Sequence, residues 1–162
     1  MPPDEETIRQ NLPRIALFQP DIPGNTGTIL RMAACLGMTV DLIEPAGFRA
    51  DDKALLRAGM DYLERTSLTR HADWAAFENW RKREQRRLVL LTTKTETAYT
   101  DFQFRPDDCI LFGRESAGVT EEVVKATDAS LTIPMAVTGR SFNVAVSAAM
   151  VAGEALRQLS KT

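Results

Sequence analysis

The chain reads as an α/β protein: a mostly parallel sheet flanked by helices. Three observations predict this. Short apolar runs alternate with longer helical patterns along the 162 residues. The runs are continuous rather than alternating, as in Leu88-Val-Leu-Leu91 and Cys109-Ile-Leu-Phe112, which is the pattern of strands buried on both faces. Most runs stop at Gly, Pro or a polar pair, as open α/β sheets do at the ends where they bind ligands.

The elements follow in order. Residues 1–13 are read as a flexible tail, and 14–162 as one domain, a length that supports a sizeable core. Arg14-Ile-Ala-Leu-Phe18 is the first strand. A helix follows, capped by Asn25 or Thr26 and ended by Gly37. Thr39-Val-Asp-Leu-Ile43 is the second strand, stopped by Glu44-Pro45. Residues 51–59 form a short helix, and Tyr62 to Ser67 a brief strand. Asp73 caps a helix running to about Glu84. Leu88–Leu91 and Cys109–Phe112 are strands, Glu121–Ala126 is a helix, and Leu131-Thr-Ile133 is the last strand. A helix from about Ser141 to Leu159 closes the chain. From Phe142 to Gly153 its only polar side chains are Asn143 and Ser147, so it is expected to be buried all round, inside the protomer or in a dimer interface.

Composition narrows the function. The chain is 44% hydrophobic and 26% charged, with a net charge of −2, which argues against indiscriminate coating of nucleic acid. The basic residues are uneven, however. Arg81-Lys-Arg-Glu-Gln-Arg-Arg87 is one cluster, and Arg49, Lys53, Arg57, Arg65 and Arg70 form a looser one. The first is either a solvated helix end or an RNA contact. A single histidine, His71, and two cysteines without a CxxC spacing speak against a structural zinc site and a Ser-His-Asp triad. Cys35 and Cys109 are expected to be buried, reduced thiols. No run is long enough to span a membrane and the acidic start is unlike a signal peptide, so the expectation is a cytoplasmic protein.

Strand ends place Gln19-Pro20, Thr92-Thr93, Gly113-Arg-Glu115 and Pro134-Met135 together if the last three strands are neighbours. Such a pocket, rich in backbone donors and apolar walls, suits an adenosine-like ligand better than a polyphosphate. Arg31 is the only charged residue between Asn25 and Gly37. Buried, it needs a partner; otherwise it marks a helix edge meeting water. Its functional reading is a guanidinium aimed at phosphate or at developing negative charge. Gly24-Asn-Thr-Gly27 precedes a helix but lacks a nucleotide-loop spacing. Glu115 is read as a carboxylate that holds its glycine-flanked loop in shape. Ser141 and Asn143 are either simple caps or polar groups facing the pocket.

Taken together, Asn25-Thr-Gly-Thr-Ile-Leu-Arg31, Leu111-Phe-Gly-Arg-Glu-Ser-Ala-Gly118, and Ile133-Pro-Met135 with Arg140-Ser-Phe-Asn-Val144 resemble the three motifs of the SPOUT class of S-adenosylmethionine-dependent RNA methyltransferases. Glu44-Pro-Ala-Gly-Phe48, Asp51-Asp-Lys53 and Arg57-Ala-Gly-Met-Asp-Tyr62 are similar to its small single-domain branch, which methylates the 2′-oxygen of a wobble pyrimidine in tRNA. The resemblance covers about residues 14–159. It implies a carboxyl-terminal deep trefoil knot, a homodimer, tRNA as partner, and S-adenosylmethionine as cofactor with S-adenosylhomocysteine as product and no metal. The cofactor-binding positions it implies are Leu91, Thr92, Phe112, Gly113, Glu115, Ile133, Met135, Ser141 and Asn143. Arg31, Ser141 and Asn143 are the implied catalytic positions. Lys53, Arg57, Arg114 and Arg140 are the candidates for gripping RNA. The wobble nucleotide is expected to be cytidine or carboxymethylaminomethyluridine. The alternatives are another tRNA position, ribosomal RNA, or a nucleotide-binding module without catalysis.

Overall fold

A computed structural model describes residues 2–49, 52–59, 67–137 and 141–160. Six strands form one sheet: β1 (Arg14–Phe18), β2 (Thr39–Ile43), β3 (Ser67–His71), β4 (Arg87–Leu91), β5 (Asp108–Phe112) and β6 (Ala129–Leu131). Their order is β3-β2-β1-β5-β4-β6, and every pairing is parallel. Among the described residues the α-helices are α1 (Glu5–Gln10), α2 (Pro23–Leu36), α3 (Lys53–Gly59), α4 (Trp74–Arg83), α5 (Glu121–Ala126) and α6 (Val144–Leu159).

Strand parity assigns the two faces of the sheet. Ile15, Leu17, Val40, Leu42, Val89, Ile110 and Phe112 point to one side, where Ile29, Leu30 and Ala33 of α2, Leu55 of α3 and the alanine row of α6 complete the core. Ala16, Phe18, Ile43, Leu88, Leu90, Cys109 and Leu111 point to the other, against Trp74 and Phe77 of α4 and Val123 of α5. Alternation across the pleat thus fills two cores from the same strands, which is why the runs are almost wholly apolar, with Asp41 of β2 the exception among them.

Caps behave as their chemistry dictates. Asp73 accepts from the Ala76 amide at 2.8 Å and starts α4. Gly37 ends α2 in the left-handed region, with φ at 73°, where a side chain would be strained. Asn143 accepts from the Ala145 and Val146 amides at 2.8 and 3.3 Å, so α6 starts at Val144 rather than at Ser141.

The structure departs from several expectations. The segment read as a tail contains α1, capped by Asp4. Pro23 opens α2, because its fixed φ and missing N–H suit a first helical turn; Asn25 and Thr26 therefore lie inside the helix. The third strand is Ser67–His71, and positions 62–66 of the expected strand lie outside the described residues. The last strand is Ala129–Leu131, in register with Val89–Leu91; beyond it β4 has left the sheet, and Thr132 pairs instead with Ala98.

Arg31 and Cys35 are exposed. With Thr28 they occupy the outward stripe of α2 at helical spacing, so Arg31 is not a buried charge in the protomer. Cys109 is buried, and burial pushes its thiol up to about 12. The helix α6 is not apolar and buried all round. Ala148, Val151, Ala152 and Ala155 are buried, whereas Val146 and Met150 face outward beside exposed Phe142. Among the described residues no helix is long and apolar enough to cross a membrane.

Candidate functional site

Because β5, β4 and β6 are neighbours, the chain leaves their carboxyl ends in three adjacent loops. These loops and the first turn of α2 enclose a cavity of about 530 Å³. Leu91, Thr92, Phe112, Gly113, Glu115, Ile133, Met135, Ser141 and Asn143 all line it. The structure therefore brings together, from three distant segments, every residue of the implied cofactor set. Leu91, Phe112, Ile133 and Met135 supply apolar walls. Residues that the motifs did not single out also line the cavity, among them Ile22, Lys94 and Ser147. Ser147 was visible only as a polar break in the closing helix.

The loop after β5 is folded back on itself. Arg114 and Gly118 exchange backbone hydrogen bonds of 2.9 Å in both directions. A Cβ at Gly113 would stand 2.7 Å from the Gly118 carbonyl carbon, closer than any side chain tolerates without displacing backbone. Glycine at 113 is thus required by backbone packing against backbone. The loops after β4 and β6 are tied to each other as well, by Thr92 N–H to Leu131 C=O at 2.9 Å and Thr132 N–H to Thr97 C=O at 2.8 Å.

A chain of side-chain hydrogen bonds joins the three motifs. Asn143 Nδ2 donates to Asn25 Oδ1 at 2.9 Å. Asn25 Nδ2 donates to Glu115 Oε1 at 3.4 Å. The other Glu115 oxygen accepts from the Asp21 amide at 3.0 Å. Ser116 Oγ donates to Asp21 Oδ2, and Arg114 Nη2 lies 3.8 Å from that oxygen. Burial, and then the adjacent Asp21 carboxylate, raise the Glu115 pKa. The Glu115 hydrogen bond, and then the Ser116 hydroxyl, lower that of Asp21. The pair therefore favours a proton on Glu115 and a charge on Asp21. Glu115 acts as the tie between loops, as its glycine-flanked setting suggested. Asn143 both caps α6 and lines the cavity, so the two readings of it combine. Asp21 was not anticipated; its one sequence signal was its place in the turn after the first strand.

The implied RNA contacts do not gather in one place. Arg114 lines the cavity, Lys53 and Arg57 are exposed on α3, and Arg140 lies outside the described residues. Arg31 lies two turns along α2 from Asn25 and is not part of the lining. In the Arg81–Arg87 cluster, Arg81 is bound to Glu78 at 2.6 Å and Arg87 to Asp108 at 2.5 Å; these two stabilise the fold, while Lys82 and Arg83 are exposed. Among the described residues no group of three or more His, Cys, Asp or Glu is placed to hold a metal.

Relatives share this framework. A tRNA (cytidine(34)-2′-O)-methyltransferase of Beijerinckia indica subsp. indica is 57% identical over 145 residues, covering 90% of this chain and 91% of that protein. A solved structure described as giving insights into the 2-OH methylation of C/U34 on tRNA superposes with a TM-score of 0.88 at 38% identity, covering 94% of this chain and 99% of that one. The SpoU methyltransferase AviRb from Streptomyces viridochromogenes, solved in complex with the cofactor AdoMet, superposes with a TM-score of 0.84 at 26% identity, over 100% of this chain and 67% of that one. The model of the SpoU rRNA Methylase family matches residues 13–153, and with its sheet order and its three-loop cavity accounted for, the chain belongs to that family.

Proposed function

We propose that this protein transfers a methyl group from S-adenosylmethionine to the ribose 2′-oxygen of the wobble pyrimidine, cytidine or a modified uridine, in tRNA anticodon loops. The observation that carries the reading is the single cavity built by three motif segments and knit by the Asn143–Asn25–Glu115 hydrogen bonds, in a chain so similar to tRNA 2′-O-methyltransferases. The cavity fits the cofactor chemically: apolar walls for the adenine, backbone amides and carbonyls for its edge and ribose, and few charges beside a cationic sulfonium. When bound, S-adenosylmethionine supplies an electrophilic methyl with a neutral leaving group.

The protein's own contribution is mainly positioning. Leu91, Phe112, Ile133 and Met135 hold the adenosine, while Gly113 lets backbone approach it. Thr92, Ser141 and Asn143 orient its polar edges and the incoming ribose. Arg31 stabilises the alkoxide that forms on the 2′-oxygen. A phosphate or water takes the proton. Arg114, Lys53, Arg57 and Arg140 hold the RNA backbone.

Residues 14–162 act as one domain whose carboxyl-terminal part is tied in a trefoil knot. Two copies pair through the outward stripes of α2 and α6. The exposed Leu36, Phe142, Val146 and Met150 are the apolar surface that pairing covers, and Arg31 on the same stripe is then brought to a site shared by both copies. The reaction belongs to the cytoplasm, where tRNA is modified.

The test is transfer of labelled methyl to tRNA from cells lacking wobble-ribose methylation, followed by nuclease mapping. Label on the 2′-oxygen of the first anticodon nucleotide, lost in Arg31→Lys with cofactor affinity retained, is the expected result. Label at another nucleotide or in ribosomal RNA would change the substrate. Cofactor binding without any product would overturn catalysis.

A further inference from the structure

A second cavity, of about 580 Å³, lies on the far side of the α2 amino-terminal turn. Its walls are apolar: Leu30 of α2, Leu42 of β2, Leu55 of α3, Leu68 of β3, and Phe48 from the loop after β2. Among them sits one polar group. Thr26 is 3% exposed, and its hydroxyl has no hydrogen-bond partner among the described residues. A buried hydroxyl left unmatched is costly unless a ligand completes it. The mouth is charged. Arg49 and Arg70 line it together with Glu44, whose Oε1 lies 3.2 Å from Arg70 Nη1. Exposed Lys53 and Arg57 sit on the same helix as Leu55.

The position of this cavity matters as much as its lining. Asn25 lines the methyl-transfer cavity and Thr26 lines this one. Successive residues of a helix point about 100° apart, so one turn of α2 is the wall between the two hollows. A pocket with flat apolar walls, one hydroxyl able to donate or accept, and cations at the rim matches the faces, edge and phosphate of a nucleotide. Single-stranded RNA loops are read by withdrawing bases from the stack into such pockets.

We infer that the cavity around Thr26 receives an unstacked nucleobase of the same RNA loop, next to the nucleotide that is methylated. Holding that base fixes the register of the loop, and so determines which ribose meets the methyl group. The inference rests on the proposed RNA methylation and adds a specificity site to it.

Two variants test it in the full-length protein with S-adenosylmethionine. Ala72→Trp fills the cavity from an exposed lining position, where folding is not at risk. Thr26→Val removes only the hydroxyl. Each is assayed on anticodon stem-loops, intact or with one loop nucleotide made abasic in turn. Ala72→Trp is expected to raise KM for intact RNA about tenfold, equivalent to about 1.4 kcal/mol, with kcat and cofactor affinity within twofold of the parent. Thr26→Val should raise KM about threefold. One abasic position beside the methylated nucleotide should raise KM as much as Ala72→Trp does, and should add nothing in that variant. Unchanged KM in both variants, losses that multiply at every abasic position, or equal loss of cofactor affinity would each overturn the inference while leaving RNA methylation standing. A parent protein that methylates no RNA would overturn the functional proposal, and this inference with it.

Discussion

The two ends of the sheet are held by different kinds of bond. At the amino ends and midway along β2, buried carboxylates grip arginines in forks. Asp41 is fully buried and takes Arg14 through Nε and Nη2, both at 2.8 Å, with His71 Nε2 at 2.9 Å from Oδ1. Asp108, also fully buried, takes Arg87 at 2.5 and 2.8 Å. Aromatic rings close over them: Arg14 lies 4.7 Å from the Trp80 ring centre and Arg87 4.6 Å from that of Phe102. At the carboxyl ends the ties are amides, a hydroxyl, the Glu115 carboxyl and backbone groups. Bidentate buried pairs fix both partners in one geometry, and the remaining arginine donors reach Thr69 and the Gln103 carbonyl. Amide ties are individually weak and leave neighbouring backbone groups for a ligand. One end is built for permanence, the other for occupancy.

Breaking the permanent end should cost most. Asp41→Ala strands Arg14 and His71, and should reduce stability by about 3–5 kcal/mol in urea unfolding. A loss under about 1 kcal/mol would place the strength of the fold elsewhere. At the other end, Gly113→Ala drives a methyl into the Gly118 backbone. It should weaken S-adenosylmethionine binding at least about tenfold, about 1.4 kcal/mol, by calorimetric titration, with a smaller stability loss than Asp41→Ala. Asn143→Ala removes both the α6 cap and the bridge to Asn25. About 1 kcal/mol of stability should go with the cap, and cofactor affinity should fall with it; a stability loss alone would reduce Asn143 to a cap.

The smallest effect is one of slope. Glu115 holds its proton more tightly folded than unfolded, so its contribution to stability is full below its ordinary pKa near 4.5 and declines as pH rises through the higher folded value. Glu115→Gln removes that decline. Its melting temperature relative to the parent should therefore climb as pH rises above about 4.5 in a thermal-shift series. Parallel curves would mean that the proton is not on Glu115.

Legibility in the sequence followed the range of the interactions. The bounds of β1, β2 and α5 agree with the sequence reading, because a continuous apolar run or a cap is a local fact. Of the nine implied lining residues, Thr92, Gly113, Glu115 and Met135 follow from the strand ends; the rest needed the resemblance. What escaped was relational. Nothing near Asp41 announces that Arg14 and His71, 27 and 30 residues away, will meet it inside a strand. Sequence neighbours, all apolar, left Arg31 open between a buried charge and a helix edge meeting water. Its neighbours on the helix face are Thr28 and Cys35, and all three face outward. Thr26 looked like a cap and is instead a hydroxyl inside a cavity, a role set by the loop after β2 and by α3.

The Asn143–Asn25 bond spans 118 residues, and this sets the order of events during synthesis. At about 5–20 residues per second, roughly 6–24 s separate the appearance of its two ends, during which α2 and the first strands exist without the loops that complete the cavity. A nascent or truncated chain lacking α6 therefore holds a sheet but no closed site. Closure of the cavity therefore comes in one step, with the arrival of α6.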